Sequence, residues 1–440
     1  MRSMTTTYRA WLAGATCLTA IATSPVLAQT AALAAETPQP GYWINGIHLS
    51  AQLQAGIIAN PAGPKLNNGQ LFGDRPNTLL LNQLLFTAEK KLDPRAAGYD
   101  WGFKLSAMYG SDARYIHFLG ILDQALPRDQ RNQFDLVEAS ASIHFPVLTS
   151  GGIDLKAGFF VTPLGYELID PATNAFYSHS YIFNYGLPFK HTGFLATVHL
   201  TGLVDLYGGL DTGANTTFGA NGENNSALGG IFGFGLNMMG GNLTVLALTH
   251  VGAENPARAL TPFFNANSYM RWYNDVVVTW KATDKLTIAG EASWARDDFG
   301  GITTKGVPTE ANAFGAAGYV SYAMTETIAL NARAEVFRDD NGFFVAGFPG
   351  NFDNVRLQKG LSNTAYGAPA ATYGALSLGF TYKPVVPAPI TSLIFRPELR
   401  YDQSLGGNKV FNRGINRKTG VVSYKDTGSV TIGADMVLTF

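Results

Sequence analysis

Long stretches of this chain alternate, residue by residue, between apolar and polar side chains. Ile47, Leu49, Ala51, Leu53, Ala55 and Ile57 are interleaved with His48, Ser50, Gln52, Gln54 and Gly56. Val430, Ile432, Ala434, Met436, Leu438 and Phe440 repeat the pattern at the other end, broken only by Val437. Side chains on a β-strand point to opposite faces in turn, so such runs predict long strands with one apolar and one wet face. Comparable segments number sixteen, the first centred near residue 52 and the last near 435. The count carries a range of roughly 14 to 18 strands.

The connections sharpen this reading. Short turns at Thr149 to Gly152, Thr201-Gly202, Gly240 to Asn242, Ala282 to Lys285 and Thr325 to Thr327 alternate with long polar loops. The long loops fall near 60–78, 111–133, 163–191, 212–226, 252–268, 297–311, 339–372 and 403–428. A soluble sandwich has no reason to gather every long loop at one end, whereas an outer-membrane barrel has short periplasmic turns and long external loops. A bilayer offers no partner for backbone N–H and C=O groups, so strands can cross it only as a closed sheet. The expected fold is therefore all-β, a closed antiparallel transmembrane β-barrel over residues 46–440. An uncharged run from Asn224 to Ala253 is long enough for a helical span, but Gly240-Gly241-Asn242 in its middle reads as a hairpin turn.

Composition agrees. Charged residues make up 14% of the chain, against roughly 25% in an ordinary soluble domain. With 31 Lys plus Arg against 32 Asp plus Glu there is no basic excess to bind nucleic acid. Arg2 and Arg9 precede an acid-free, Ala-rich run, and Val26-Leu27-Ala28 is a small-residue cleavage site, so residues 1–28 read as an export signal. A second cut could follow Ala35. Residues 29–45 are then a short periplasmic segment, too short for a plug. The single cysteine, Cys17, lies inside the signal, which removes disulfides and cysteine-bound metals from the exported chain. Aromatic residues form two expected belts on the apolar face. Trp101, Phe145, Trp280, Tyr322 and Tyr382 lie at the periplasmic strand ends, and Tyr109, Trp272, Trp294 and Tyr401 at the opposite ends.

Three stretches carry a family resemblance: Asn174 to Gly193 (NAFYSHSYIFNYGLPFKHTG), Tyr273 to Leu286 (YNDVVVTWKATDKL) and Arg396 to Asp402 (RPELRYD). They resemble the OmpL-like β-barrel porins of Gram-negative outer membranes, over most of the chain from about Ile44 to Phe440. The resemblance implies an outer-membrane channel and supports the fold better than any particular solute. Phe440, ending an alternating strand, resembles the signal by which the barrel assembly machinery recognises its precursors.

The polar strand face should line the lumen, because a charge on the lipid face costs roughly 2 to 4 kcal/mol near the midplane. Inward positions hold Lys104, Lys156, Lys281, Arg333, Arg396 and Arg400 against eleven acids, which suggests weak cation preference. Arg396, Glu398, Arg400 and Asp402 form one column at every second position, and Arg333 and Glu335 repeat it two strands earlier. Two readings stand side by side: wall salt bridges that satisfy one another, or a basic stripe facing an acidic loop across the pore. Loop 163–191 is the candidate constriction, with Glu167 and Asp170 among Tyr177, Tyr181, Phe183, Tyr185 and Phe189. By resemblance to porins whose third loop folds inward it would narrow the lumen; packing over the external rim is the competing reading.

Signs of chemistry are sparse. Asp211-Thr212-Gly213-Ala214 matches a short aspartic-protease signature but occurs once, where that chemistry needs a pair. His48, His144, His199 and His250 fall on inward faces of different strands, a spacing that argues against a convergent metal site. No cofactor, metal or catalytic residue is expected. The sequence thus points to a passive diffusion channel for small hydrophilic solutes, in contact with outer-membrane lipid and the assembly machinery, with self-association left open. The alternatives are a non-conducting adhesion or structural barrel and, less favoured, a membrane-embedded hydrolase.

Overall fold

The computed structural model describes residues 42–44, 46–121, 130–217, 227–255, 266–298, 310–359, 361, 364–415 and 422–440. The export signal 1–28, and all of segment 29–45 except Tyr42–Ile44, lie outside the described residues. A three-residue strand, Tyr42–Ile44, folds back only on the start of the first long strand. Sixteen long strands follow among the described residues. The first eight are β1 (Ile47–Ala59), β2 (Leu79–Lys90), β3 (Asp100–Gly110), β4 (Gln133–Phe145), β5 (Ile153–Val161), β6 (Lys190–His199), β7 (Val204–Asp211) and β8 (Gly229–Met238). The second eight are β9 (Leu243–Gly252), β10 (Arg271–Lys281), β11 (Leu286–Asp298), β12 (Glu310–Ala323), β13 (Ile328–Asp339), β14 (Ala371–Tyr382), β15 (Ser392–Ser404) and β16 (Gly428–Thr439).

Each strand pairs antiparallel with its neighbours, and β1 pairs with β16 from Gln52↔Thr439 to Ala59↔Ile432, so the sheet closes on itself. Phe440 extends the seam: its N–H donates to the Ala51 carbonyl at 2.8 Å. Alternation fixes the two faces. Along β9, Thr244, Leu246, Leu248, His250 and Gly252 are buried toward the inside while the intervening residues face outward. Trp101, Tyr109, Trp280, Trp294, Tyr322, Tyr382 and Tyr401 are exposed on the outer face near the strand ends, where amphipathic rings belong. No helix among the described residues is long and apolar enough to cross a membrane.

Three irregularities interrupt the ladder. The register shifts between Gln54 and Ala55 opposite Asn82 and Gln83, so both of these amides turn inward and are buried. A second shift, between Ser106 and Ala107, lies opposite Val137. Val137, which strict alternation sends to the lipid face, is buried instead, because a bulge admits one extra residue and breaks the period. The third is Pro397. It has no N–H to give, and the pairing of β14 with β15 skips from Gly379↔Glu398 to Tyr382↔Phe395.

The external loops are numbered L1 to L8, after β1, β3, β5, β7, β9, β11, β13 and β15. Several of them turn into the cylinder. L1, L2, L3 and L7 contribute Phe72, Tyr115, Ile116, Phe183, Phe189, Val345 and Phe348 to one buried apolar cluster that includes inward wall residues such as Leu248 and Val277.

Candidate functional site

L3 spans residues 162–189 and lies inside the barrel. Its two ends are joined where the Thr162 N–H donates to the Phe189 carbonyl at 2.9 Å. The loop is two residues shorter at its far end than the sequence suggests, because Lys190 and His191 already belong to β6. From its root it crosses to the far wall. Gly165, at φ +97°, gives its N–H to Asp275 at 2.9 Å, and the Tyr166 N–H goes to Glu291 at 3.0 Å. Tyr166 packs on Tyr319 with ring centroids 4.3 Å apart, and the Tyr319 hydroxyl donates to the same Glu291.

The sequence-derived candidates meet in this contact, and their partners are largely loop backbone. Arg396 donates at 2.6 Å to the carbonyls of Pro171 and Asn174, while its other nitrogens hold Asp435. Glu398 accepts the N–H groups of Tyr177, at 3.0 Å, and of Ser178, at 3.1 Å. Arg400 donates to the His179 carbonyl at 2.8 Å and pairs with Asp402. Arg333 donates to the Ser178 carbonyl at 2.8 Å, and Glu335 accepts the Tyr181 N–H at 2.7 Å. Arginines therefore take loop carbonyls and glutamates take loop N–H groups, so one charged column can read an irregular backbone. A loop placed in a low-dielectric interior needs such partners for every polar group it carries inward.

Glu167 is the one acid of L3 that meets a wall arginine directly, 2.6 Å from Arg333. Its second oxygen accepts from Ser180 N–H at 2.8 Å and lies 3.1 Å from His179 Nδ1. Burial alone would raise its pKa, but Arg333 and the His179 and Ser180 donors outweigh that and hold it down at about 2. Asp170 does something else. It caps the short 3₁₀ turn Pro171–Thr173 by accepting Ala172 N–H, and it also accepts Gln52 Nε2 at 2.9 Å. Burial pushes the Tyr177 and Tyr181 phenols well above their ordinary range, so they stay neutral and donate, Tyr177 to Asn82 at 2.9 Å and Tyr181 to Asp402 at 3.1 Å. Tyr181 also stacks on Tyr373 at 4.9 Å.

Other contributors lay outside the sequence reading. Gln83 donates to the Ile169 carbonyl, and Asn331 hydrogen-bonds Thr381 beside the loop. Arg114 of L2 makes a two-pronged contact with Asp74 of L1, at 3.1 and 2.7 Å, above the same cluster. Only the two-face irregularity at Asn82-Gln83 could have flagged the first of these. By contrast Lys104 of β3 and Lys156 of β5 reach water: they leave 42% and 43% of their side chains exposed, at 3.8 and 3.4 Å from buried Glu138.

Residues 46–440 match the family "Putative beta-barrel porin-2, OmpL-like", and the chain belongs to it. It is an outer-membrane protein of the porin class. Its fold is similar to that of the outer-membrane channel DcaP of Acinetobacter baumannii, at 12% identity and TM-score 0.51, covering 91% of this chain and 99% of that one. An anion-selective porin from Comamonas acidovorans is similar at 8% identity and TM-score 0.52, covering 90% and 99%. OmpF of Salmonella typhi, solved in complex with daunomycin, gives 10% identity and TM-score 0.52, covering 91% and 99%. No curated protein matches the chain.

Proposed function

We propose that the protein is a passive diffusion channel for small hydrophilic solutes whose bore is set by L3. The observation that carries this is the loop held across the lumen by wall residues from β10 to β15 and from β1 and β2. A loop so placed leaves solutes the wet side of the lumen, along Lys104 and Lys156. The inward excess of acids supports weak cation preference only where those acids reach water. Asp275, Glu291, Glu335 and Glu398 instead face L3, and the two exposed lysines work against the preference.

No reacting group is needed for this function. Thr162, His191 and Asp211 are linked by hydrogen bonds of 3.0 and 2.8 Å in the order of a nucleophile, base and orienting acid, but all three side chains are buried. Cleavage of the signal, engagement of Phe440 by the assembly machinery and self-association through the lipid face complete the reading. Single-channel recording in planar bilayers tests it: a steady ohmic conductance is expected, enlarged in Arg396→Gln, with a reversal potential close to zero under a salt gradient. Zero conductance would support the second reading, a filled structural barrel, which the apolar cluster inside the lumen favours.

A further inference from the structure

At the external end of the wall, near the root of L3, three side chains from β6, β7 and β9 converge. His191 Nδ1 lies 2.8 Å from Asp211 Oδ2, and His250 Nε2 lies 3.1 Å from Asp211 Oδ1. The three candidate ligand atoms all lie within 4.8 Å of one another, and all three residues are buried. Strands β7 and β9 are separated by β8, yet Asp211 and His250 meet because β8 begins with Gly229. A Cβ there would come within 2.4 Å of Asp211 Oδ1 and 2.9 Å of His250 Nε2.

Proton placement shows what the cluster lacks. If both imidazoles donate to Asp211 as neutral rings, His250 Nδ1 becomes a bare acceptor. It is buried without a hydrogen bond, and the nearest carboxylate oxygen, Glu254 Oε1 at 3.9 Å, is also an acceptor. Turning the tautomer round satisfies that side and sets a lone pair against Asp211 instead. A second proton on His250 removes the conflict at that ring, and so does a metal cation between the three, which is the case that engages all three side chains. His191 Nδ1 and His250 Nε2 then both offer lone pairs, His191 Nε2–H donates to Thr162 Oγ1 at 3.0 Å, and His250 Nδ1–H points at Glu254. Asp211 is steadied by the Gly213 N–H at 2.8 Å, so Asp211 and His191 each have an outer hydrogen bond that orients them, and His250 has a carboxylate 3.9 Å beyond its far nitrogen. Two imidazoles and one carboxylate, with a fourth position left for water, suit a borderline divalent ion such as zinc. A second chain, His144–Asp154–His199–Asp205, lies near the periplasmic end, and none of its ring nitrogens is both buried and unbonded.

We propose that His191, Asp211 and His250 form a binding site for a zinc-type divalent metal ion, oriented by Thr162 and Glu254. The test uses the full barrel refolded into detergent from chelator-treated denatured chain, with and without Zn²⁺, and with Co²⁺ as an optical probe. One tightly held Zn²⁺ per chain is expected, with a visible Co²⁺ absorption of a four-coordinate site and a higher thermal unfolding midpoint. His191→Gln and His250→Gln should weaken binding more than 100-fold and Glu254→Gln about 10- to 100-fold, while His199→Gln should leave it unchanged. Wild-type barrel that carries no metal after refolding with Zn²⁺ overturns the proposal, whether or not the variants fold. Binding that survives His250→Gln, or that is lost in His199→Gln, overturns it equally. None of these readouts depends on conductance, so a failure here is separable from a failure of the channel reading.

Discussion

Two sectors of the inner wall carry the same residue types and use them differently. On β13 and β15, Arg333, Glu335, Arg396, Glu398, Arg400 and Asp402 are each 5% exposed or less and hold the backbone of L3 or one another. On β3 to β5, Lys104 and Lys156 approach Glu138 but keep more than a third of their side chains in water. Alternation puts both sets on the inner face; what crosses the lumen in front of them decides whether they act as structure or as a solvated lining. A charge that is buried and paired is costly to unpair, whereas a lysine that stands half in water, and shares Glu138 with a second lysine, contributes little.

The sharpest way to break this comparison is Arg396→Gln. It leaves buried Asp435 without its cation, with only Gln54 still donating to it, and takes the arginine donor from the Pro171 and Asn174 carbonyls, so a loss of about 3–5 kcal/mol is expected in denaturant unfolding of the purified barrel. A variant as stable as the parent would mean that the arginine does not clamp the loop. Acidification comes next. The Glu167 carboxyl is held at about 2 against an ordinary 4.5, so its contribution is complete above pH 4.5 and disappears as pH falls toward 2. The amount is on the order of 3 kcal/mol. Protease cleavage within L3 should rise over that window, and Glu167→Gln should flatten the dependence. Glu398→Gln keeps an acceptor but loses its charge. It should cost about 1.5–3 kcal/mol, measured by the same unfolding assay. The smallest effect belongs to the other sector. Lys104→Gln and Lys156→Gln should change stability by less than about 1 kcal/mol, yet shift the reversal potential toward cations. A large destabilisation there would erase the distinction between the two sectors.

The barrel was legible because lipid on one side and water on the other impose a strict period of two, and every long segment obeys it closely enough to be counted. Where a bulge inserts a residue, at Asn82 or Val137, the period slips and the face assignment fails locally. The charged column on β15 was legible too, but its use was not. Its partners are backbone groups of L3 more than two hundred residues away, and a backbone carbonyl leaves no mark in a sequence. His191 escaped for a related reason. It stands at the second position of β6, inside what reads from the sequence as the end of a loop, so the alternation does not place it among the inward histidines with His250. The glycine that lets Asp211 and His250 meet across β8 is equally silent until the register is known.

The break at Pro397 makes the cylinder unevenly stiff around its circumference. Between β14 and β15 a stretch of rungs is missing, ending at Tyr382 at the periplasmic edge of the wall. Amide exchange should therefore begin along this line, and a bilayer that thins or thickens would concentrate its lateral strain there. The residue beside the break is Arg396, so a flexing of the wall felt from the lipid side would be transmitted first to the side chain that grips Pro171 and Asn174.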